Sequence, residues 1–263
     1  MQRHRSITTL FLTFGTLLLA VSLTQFCLAQ NAPPASQIFR VSVVRVKPEM
    51  DAEYREFVKN ETLAAYKKGG GTFLQTWMGT TLGEANVYVS FTPVENLKQF
   101  DQPGPLVKAL GEDGTRAWAA KRGRMIISSR TYLASTLPAL SVPRKGEPKF
   151  GIGVVTNVAP GRTAEFYKWF KENALVANAK TNSKGVFTFV EGLGGNPNIV
   201  HVGVNFDNFA DMENFVQAYN KAMADLKLQL HPPVGVETQV EFAVYRYIPE
   251  LSISPAPAKP AGQ

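Results

Sequence analysis

Along several β-branched runs of this chain, side chains that can donate, accept or carry protons alternate with apolar ones. Between Ile199 and Phe206, one parity holds Val202, Val204 and Phe206, and the other holds His201, Gly203 and Asn205. Between Thr238 and Tyr247, Val240, Phe242 and Val244 alternate with Glu241, Ala243 and Tyr245. A strand turns successive side chains to opposite faces, so each run gathers its polar members on one side. Asn86, Tyr88 and Ser90 share a parity in the same way, as do Ile126, Ser128 and Arg130. If these faces converge, Tyr88, Arg130, His201, Asn205, Glu241 and Tyr245 form one polar group. Arg130 offers a planar fork of donors suited to an anionic oxygen pair. His201 or Glu241 could take a proton from an acidic C–H, and Arg130 or Asn205 could hold the resulting anion. The same residues could instead satisfy one another, as interior polar groups do as a rule.

A second set pairs a strand with a helix. Tyr54, Phe57, Val58 and Ala65 make an apolar stripe at helical spacing, and Glu61 stands seven residues after Tyr54. An Arg40–Glu61 pair, with Trp77 or Trp118 nearby, would line a pocket between helix and sheet. The facing of Arg40 stays open here, because Val43-Val44 blurs the alternation and a slip of one residue inverts every side chain. Other chemistries lack their residues. The chain has no G-x-S-x-G elbow, no H-E-x-x-H helix and no P-loop, and Gly192-Leu193-Gly194-Gly195 sits between strands as a turn. The lone Cys27 excludes a thiolate zinc cage. His201 and His231 are far apart in sequence, so neither a metal site nor a bound cofactor is expected.

The elements that must position these residues come in two copies. Val46-Lys47-Pro48 recurs as Val158-Ala159-Pro160 at an offset of 112, and Glu53, Tyr54, Phe57, Val58 and Lys59 meet Glu165, Phe166, Trp169, Phe170 and Lys171 at the same offset. Val87-Tyr88-Val89-Ser90-Phe91 matches Val202-Gly203-Val204-Asn205-Phe206 at an offset of 115. Each copy reads β-α-β-β-α-β. The first has strands at Phe39–Val46, Thr72–Met78, Asn86–Phe91 and Met125–Tyr132, with a helix from Asp51 to Lys68 stopped by Gly69-Gly70-Gly71. Thr92-Pro93-Val94-Glu95 has the form of a capping box and predicts a second helix, broken near Gly104, Gly111 and Gly114. The second copy repeats the order from Phe150 to Tyr247. Residues 38–133 and 149–250 are the two repeats, 134–148 is the linker, and the proline-bearing tail 251–263 is expected to be disordered.

This order is that of a ferredoxin-like unit, an α+β arrangement with both helices on one face of an antiparallel sheet. The bare sheet faces would then pair into an intramolecular, pseudo-dimeric barrel. Val158-Ala159-Pro160-Gly161 leading to Glu165-Phe166, Gly185 ahead of a strand, and Asn198 to Phe206 before Asp211 to Phe215 carry a resemblance. On these residues the chain resembles the dimeric α+β barrel superfamily, which includes antibiotic-biosynthesis-type monooxygenases and the NIPSNAP and EthD families. The resemblance implies a barrel of two sheets and a substrate space between helix and sheet. It also implies three possible activities: ligand binding, cofactor-independent oxygenation, or haem binding through His201 or His231.

The N-terminus reads as a secretory signal. Arg3 and Arg5 precede an uncharged apolar run from Ile7 to Leu23, and Cys27-Leu28-Ala29 places cleavage after Ala29. Loss of residues 1–29 leaves 234 of the 263 residues, no cysteine, and a formal charge of +5 in place of +7. That charge is dispersed, which argues against a nucleic-acid arm. The combined expectation is a secreted or periplasmic protein binding a small anionic or aromatic molecule, without metal and without stable membrane association once the signal is gone. A cofactor-independent monooxygenase or isomerase acting on an aromatic or acidic C–H substrate is the alternative. Further homo-oligomerisation is left open.

Overall fold

A computed structural model describes residues 35–147 and 149–254 of the chain. The predicted signal at 1–29 and the tail beyond Ser254 lie outside the described residues. Both copies fall within one compact unit that begins at Ser36. In the first copy β1 (Ile38–Val46) leads into α1, which is α-helical over Asp51–Phe57, π-helical over Val58–Thr62 and α-helical again over Leu63–Lys68. β2 (Gln75–Gly79), β3 (Val87–Val94), α2 (Pro105–Met125) and β4 (Ile126–Thr136) complete it. The second copy has β5 (Phe150–Val158), α3 (Thr163–Trp169, π-helical Phe170–Ala174, Leu175–Asn178), β6 (Val186–Glu191), β7 (Ile199–Phe206), α4 (Phe209–Asp225) and β8 (Glu237–Tyr247). The π-helical turn recurs at the 112-residue offset, so it belongs to the unit and not to either copy alone.

The eight strands close in the order β1-β3-β2-β8-β5-β7-β6-β4, which joins the two sheets along two seams. Each seam is short. β2 meets β8 through Trp77–Tyr247, Met78–Arg246 and Gly79–Tyr245, and β4 meets β6 through Ala134–Glu191, Ser135–Val190 and Thr136–Phe189. Closure removes the free edges that an open sheet would present. The lumen is a packed core in which Val41, Tyr132, Ala134 and Phe189 cluster with Phe39, Val43, Val89, Phe91 and Phe187. Phe39 and Phe91 from the first copy meet the ring of Phe187 from the second edge to face at centroid distances of 6.0 and 6.2 Å.

Outside the barrel each copy packs its helices on the opposite sheet face. The second copy fills that space with Val200, Val202, Val204 and Phe206 against Phe166, Phe170 and Phe215. The first copy puts Val44, Val46 and Tyr88 against Tyr54, Phe57 and Met125.

Three expectations from sequence change here. Thr92-Pro93-Val94 does not open a helix. It is the end of β3, followed by a 3-10 turn at Leu97–Asp101, and α2 begins only at Pro105. The expected break in this helix does occur at Gly111, which takes φ 70° and ψ 179°, a backbone conformation that excludes helix and favours glycine. The fold also continues past residue 250. Leu251 and Ile253 are buried, and Ile253 bridges Leu74, so the start of the expected tail is part of the core.

The third change concerns β3. Val44 pairs with Tyr88 in the first copy, and its counterpart Thr156 pairs with Val200 in the second, so the third strands correspond at 112 and not at 115. The difference of three is odd and inverts the facing of every residue on β3.

Candidate functional site

Of the six residues expected to share the lumen, five lie on its side of the sheet and Tyr88 does not. Tyr88 points into the layer between sheet and helices, where it packs on Tyr54 at 5.0 Å between rings and donates to Asp51 Oδ1 at 2.5 Å. The cause is the β3 register just described. The remaining five do not form one group. His201 and Glu241 stand on either side of Val155 across β7, β5 and β8. Two strand spacings separate them by about 10 Å. Glu241 is exposed and accepts from Gln239 Nε2 at 2.6 Å. Asn205 and Tyr245 flank the glycines of β5. A Cβ at Gly151 would lie 3.5 Å from Asn205 Oδ1, and one at Gly153 would lie 2.7 Å from the Tyr245 ring.

Arg130 and His201 do meet, through a residue that the sequence reading passed over. Glu191 has a side chain only 1% exposed at the β4–β6 seam. Its Oε1 lies 2.9 Å from His201 Nε2, while its Oε2 accepts from Arg130 Nη2 and, at 2.8 Å, from the Asn196 backbone N–H. Burial alone would push the Glu191 carboxyl up. The His201 hydrogen bond, the Asn196 N–H and the charges of His201 and Arg130 outweigh it and hold the carboxyl below its ordinary value. The His201 ring lies parallel to Phe189 at 4.5 Å, and the Arg130 guanidinium sits 4.7 Å from the Tyr132 ring. Every hydrogen-bonding atom of the carboxylate is thus occupied, and the cluster ties one copy to the other. The glycine-rich turn after β6 provides room for it, since a Cβ at Gly195 would fall 2.7 Å from Glu191 Oε2.

The second expected pocket exists, with different membership. Arg40 and Ser42 face the helix layer, which resolves the facing of Arg40 that the alternation alone left open. They line a cavity of about 330 Å³ between the first copy's sheet and helices, together with Tyr54, Phe57, Tyr66, Tyr88, Ser90, Thr92, Trp118 and Arg122. Glu61 is not among them. It is half out in solvent and pairs with Lys121. Trp77 is also elsewhere, in the lumen beside Tyr247 at 5.5 Å. Arg40 Nε donates to Thr92 Oγ1 at 3.3 Å, and the Arg122 guanidinium lies 5.7 Å from the Trp118 ring. Trp118 in turn donates to Thr62 of the π-helical turn at 3.0 Å and stacks on Phe57 at 5.9 Å. Among the described residues neither Arg40 nor Arg122 has a carboxylate partner. Burial pushes the Tyr66, Tyr54 and Tyr88 phenols up, with Arg40 opposing this at Tyr66 and Arg122 at Tyr54; the bond to Asp51 adds to it at Tyr88. These phenols are therefore neutral donors and acceptors, and the two guanidinium groups are the charges of the cavity wall.

The duplication supplies an internal comparison. Through the strand pairings, Arg40, Ser42, Tyr88, Ser90 and Thr92 stand where the second copy has Ile152, Val154, Val200, Val202 and Val204. On the helix side Val58 and Thr62 stand where it has Phe170 and Ala174. Val44 against Thr156 runs the other way. The second copy closes its interlayer space with apolar bulk, and the first leaves it open and lines it with hydroxyls and cations. Sequence reasoning missed Arg122, Tyr66, Ser90 and Thr92. The 112-residue offset carried unbroken into β3 puts Ser90 and Thr92 in the places of Val202 and Val204, and the helical period carries the α1 stripe on to Tyr66, twelve residues after Tyr54.

No known family model matches the chain, and no curated protein matches it. Solved structures do. A candidate monooxygenase from Lactobacillus acidophilus NCFM superposes with a TM-score of 0.54 at 10% identity, over 84% of this chain and 97% of its own. An anthrone oxidase-like protein gives a TM-score of 0.54 at 12% identity, over 82% and 93%. A mutant chlorite dismutase from Candidatus Nitrospira defluvii, in complex with cyanide, gives 0.52 at 10% identity, over 81% and 92%. At identities this low the likeness is one of fold: the chain has the dimeric α+β barrel fold, with both ferredoxin-like halves in one polypeptide.

Proposed function

We propose that this chain is an exported protein that binds a small organic anion in the interlayer pocket of its first copy. The observation that carries the reading is the contrast between the copies. The same fold is completed in the second copy by Ile152, Val154, Val200, Val202 and Val204, so nothing in folding calls for Arg40, Ser42, Ser90 and Thr92 at the matching positions. Polar groups placed in an interior cost free energy unless something pairs with them. Two guanidinium groups over aromatic walls, with hydroxyls along the floor, fit an anion with an apolar body. Export rests on Arg3, Arg5, the Ile7–Leu23 run and the site after Ala29.

The enzymatic alternative that uses His201 or Glu241 as base gains no support from the geometry. His201 is engaged by Glu191, Glu241 is exposed two strands away, and neither lines the pocket. The haem alternative would need an axial imidazole beside a space wide enough for the ring. Among the described residues neither interlayer space has one, because His201 faces the lumen and His231 sits in an exposed loop.

Native mass spectrometry of the mature protein, purified from its own export route, tests the reading. A bound organic anion is expected on the wild-type chain and on His201→Ala, and absent from an Arg40→Ala/Arg122→Ala double variant. An adduct that survives the double variant would place the site elsewhere.

A further inference from the structure

The pocket's two cations stand at opposite ends, and their placement sets the shape of what can bind. This inference rests on the anion-site reading above. Arg40 and Thr92 face each other across β1 and β3, and the Arg40 Nε bond to Thr92 holds the guanidinium at that end. Val44 and Tyr88, the next facing pair but one on the same side, lie four residues further along β1. Four strand residues span about 13 Å. Arg122 belongs to this second end. It lies against Trp118, Trp118 stacks on Phe57, and Phe57 packs with Val44 and Tyr88. α1 repeats the separation. Tyr66, near Arg40, comes twelve residues after Tyr54, near Arg122. Twelve helical residues cover about 18 Å. The stretch between is walled by Val58 and Leu63 above and floored by Ser42 and Ser90.

We propose that the pocket takes an elongated dianion, an organic molecule with an anionic oxygen group at each end and an apolar middle, its charges on the order of 10 Å apart. A compact monoanion reaches one guanidinium and leaves the other unpaired beside an apolar wall, which is unfavourable. A long dianion pairs both and lays its body along Val58, Leu63 and the Phe57–Trp118 stack. The hydroxyls of Ser42 and Ser90 serve the anionic groups or waters that bridge to them.

Isothermal titration of the mature wild-type protein with azelate, azelate monomethyl ester and succinate tests this. Azelate is expected to bind at least about tenfold more tightly than the half ester, which lacks one charge, and than succinate, which is too short. Arg40→Ala and Arg122→Ala are each expected to bring azelate down to the level of the half ester, with far-UV circular dichroism confirming that both variants fold. Equal binding of azelate and its half ester, or sensitivity to only one arginine, overturns the dianion and leaves a monoanion site standing. If none of the three probes binds the folded wild-type protein, the dianion falls, and the anion-site reading falls with it if native mass spectrometry also finds no adduct.

Discussion

Glu191 is the only charged side chain that is fully buried among the described residues, and groups from both copies hold it. A carboxylate in that position is sustained by its bonds, so removing the charge has a sign that can be worked out. The folded-state value is held low by His201, Asn196 and Arg130 against the opposing effect of burial. The stability it contributes is therefore complete above the ordinary glutamate value of about 4.3 and is lost as pH falls through the lower folded value. Glu191→Gln is expected to lower stability by about 1–3 kcal/mol near neutral pH, from the loss of bonds to a charged group. In thermal melts from pH 7 down to pH 3, the gap between wild type and variant should narrow as the wild-type carboxyl takes up its proton. A gap independent of pH would mean that the charge is not what stabilises the seam. Arg130→Ala should cost less than Glu191→Gln, since Arg130 is half exposed and its pairing is screened by water. Little of this was legible in sequence. His201, Arg130 and their shared face follow from strand parity, but Glu191 meets Arg130 only when two copies close a barrel, and no local pattern marks a glutamate at the end of a strand as buried.

At the scale of elements, the lesson lies in β3 and α2. The first strand and first helix of each copy were readable because β-branched and helical periodicities agree with the 112-residue repeat. β3 was misread because Val87, Val89 and Phe91 look like Val202, Val204 and Phe206, yet the former face the lumen and the latter the helices. Apolar letters at period two suit either face of a sheet that is covered on both sides. Ser90 then counts with the lumen face and Thr92 with a helix cap, and two of the pocket's hydroxyls go unseen. α2 matters for the same pocket because it carries Trp118 and Arg122, and its start is pressed against the end of α1. A Cβ at Gly69 would stand 1.8 Å from the Pro105 carbonyl oxygen, although the φ of Gly69 is an ordinary −82°. Gly69→Ala is thus an overpacking change and not a conformational one. It should destabilise by about 1–3 kcal/mol or more. It should also weaken anion binding, because α2 has to shift away from α1. Denaturant melts and titration of the same variant check both; a loss of stability with unaltered binding would show that α2 adjusts without moving Arg122.

For the whole molecule, the question is what keeps two duplicated halves together. Each seam pairs three residues per strand, which alone is a weak attachment. The lumen supplies the larger part. Phe39, Val41, Val43, Val89 and Phe91 of the first copy pack against Phe187 and Phe189 of the second, and a half on its own would expose that surface to water. At roughly 25 cal/mol per Å² of apolar area, exposure of such a face opposes independent folding by several kcal/mol. The Arg130–Glu191–His201 cluster then specifies which edges join, since its partner seam has Gly79 and Val89 in the positions of Glu191 and His201. A chain cut between Pro143 and Glu147 should therefore give halves that aggregate or self-pair when expressed alone and form a one-to-one complex when refolded together. The complex should bind the same anion as the intact chain, because every residue that lines the pocket comes from the first half except Leu251, which the second half supplies. Analytical ultracentrifugation of each half and of the mixture decides it. Two halves that remain monomeric and folded, with no association on mixing, would show that the barrel is a contact between self-sufficient domains and that its lumen is not their shared core.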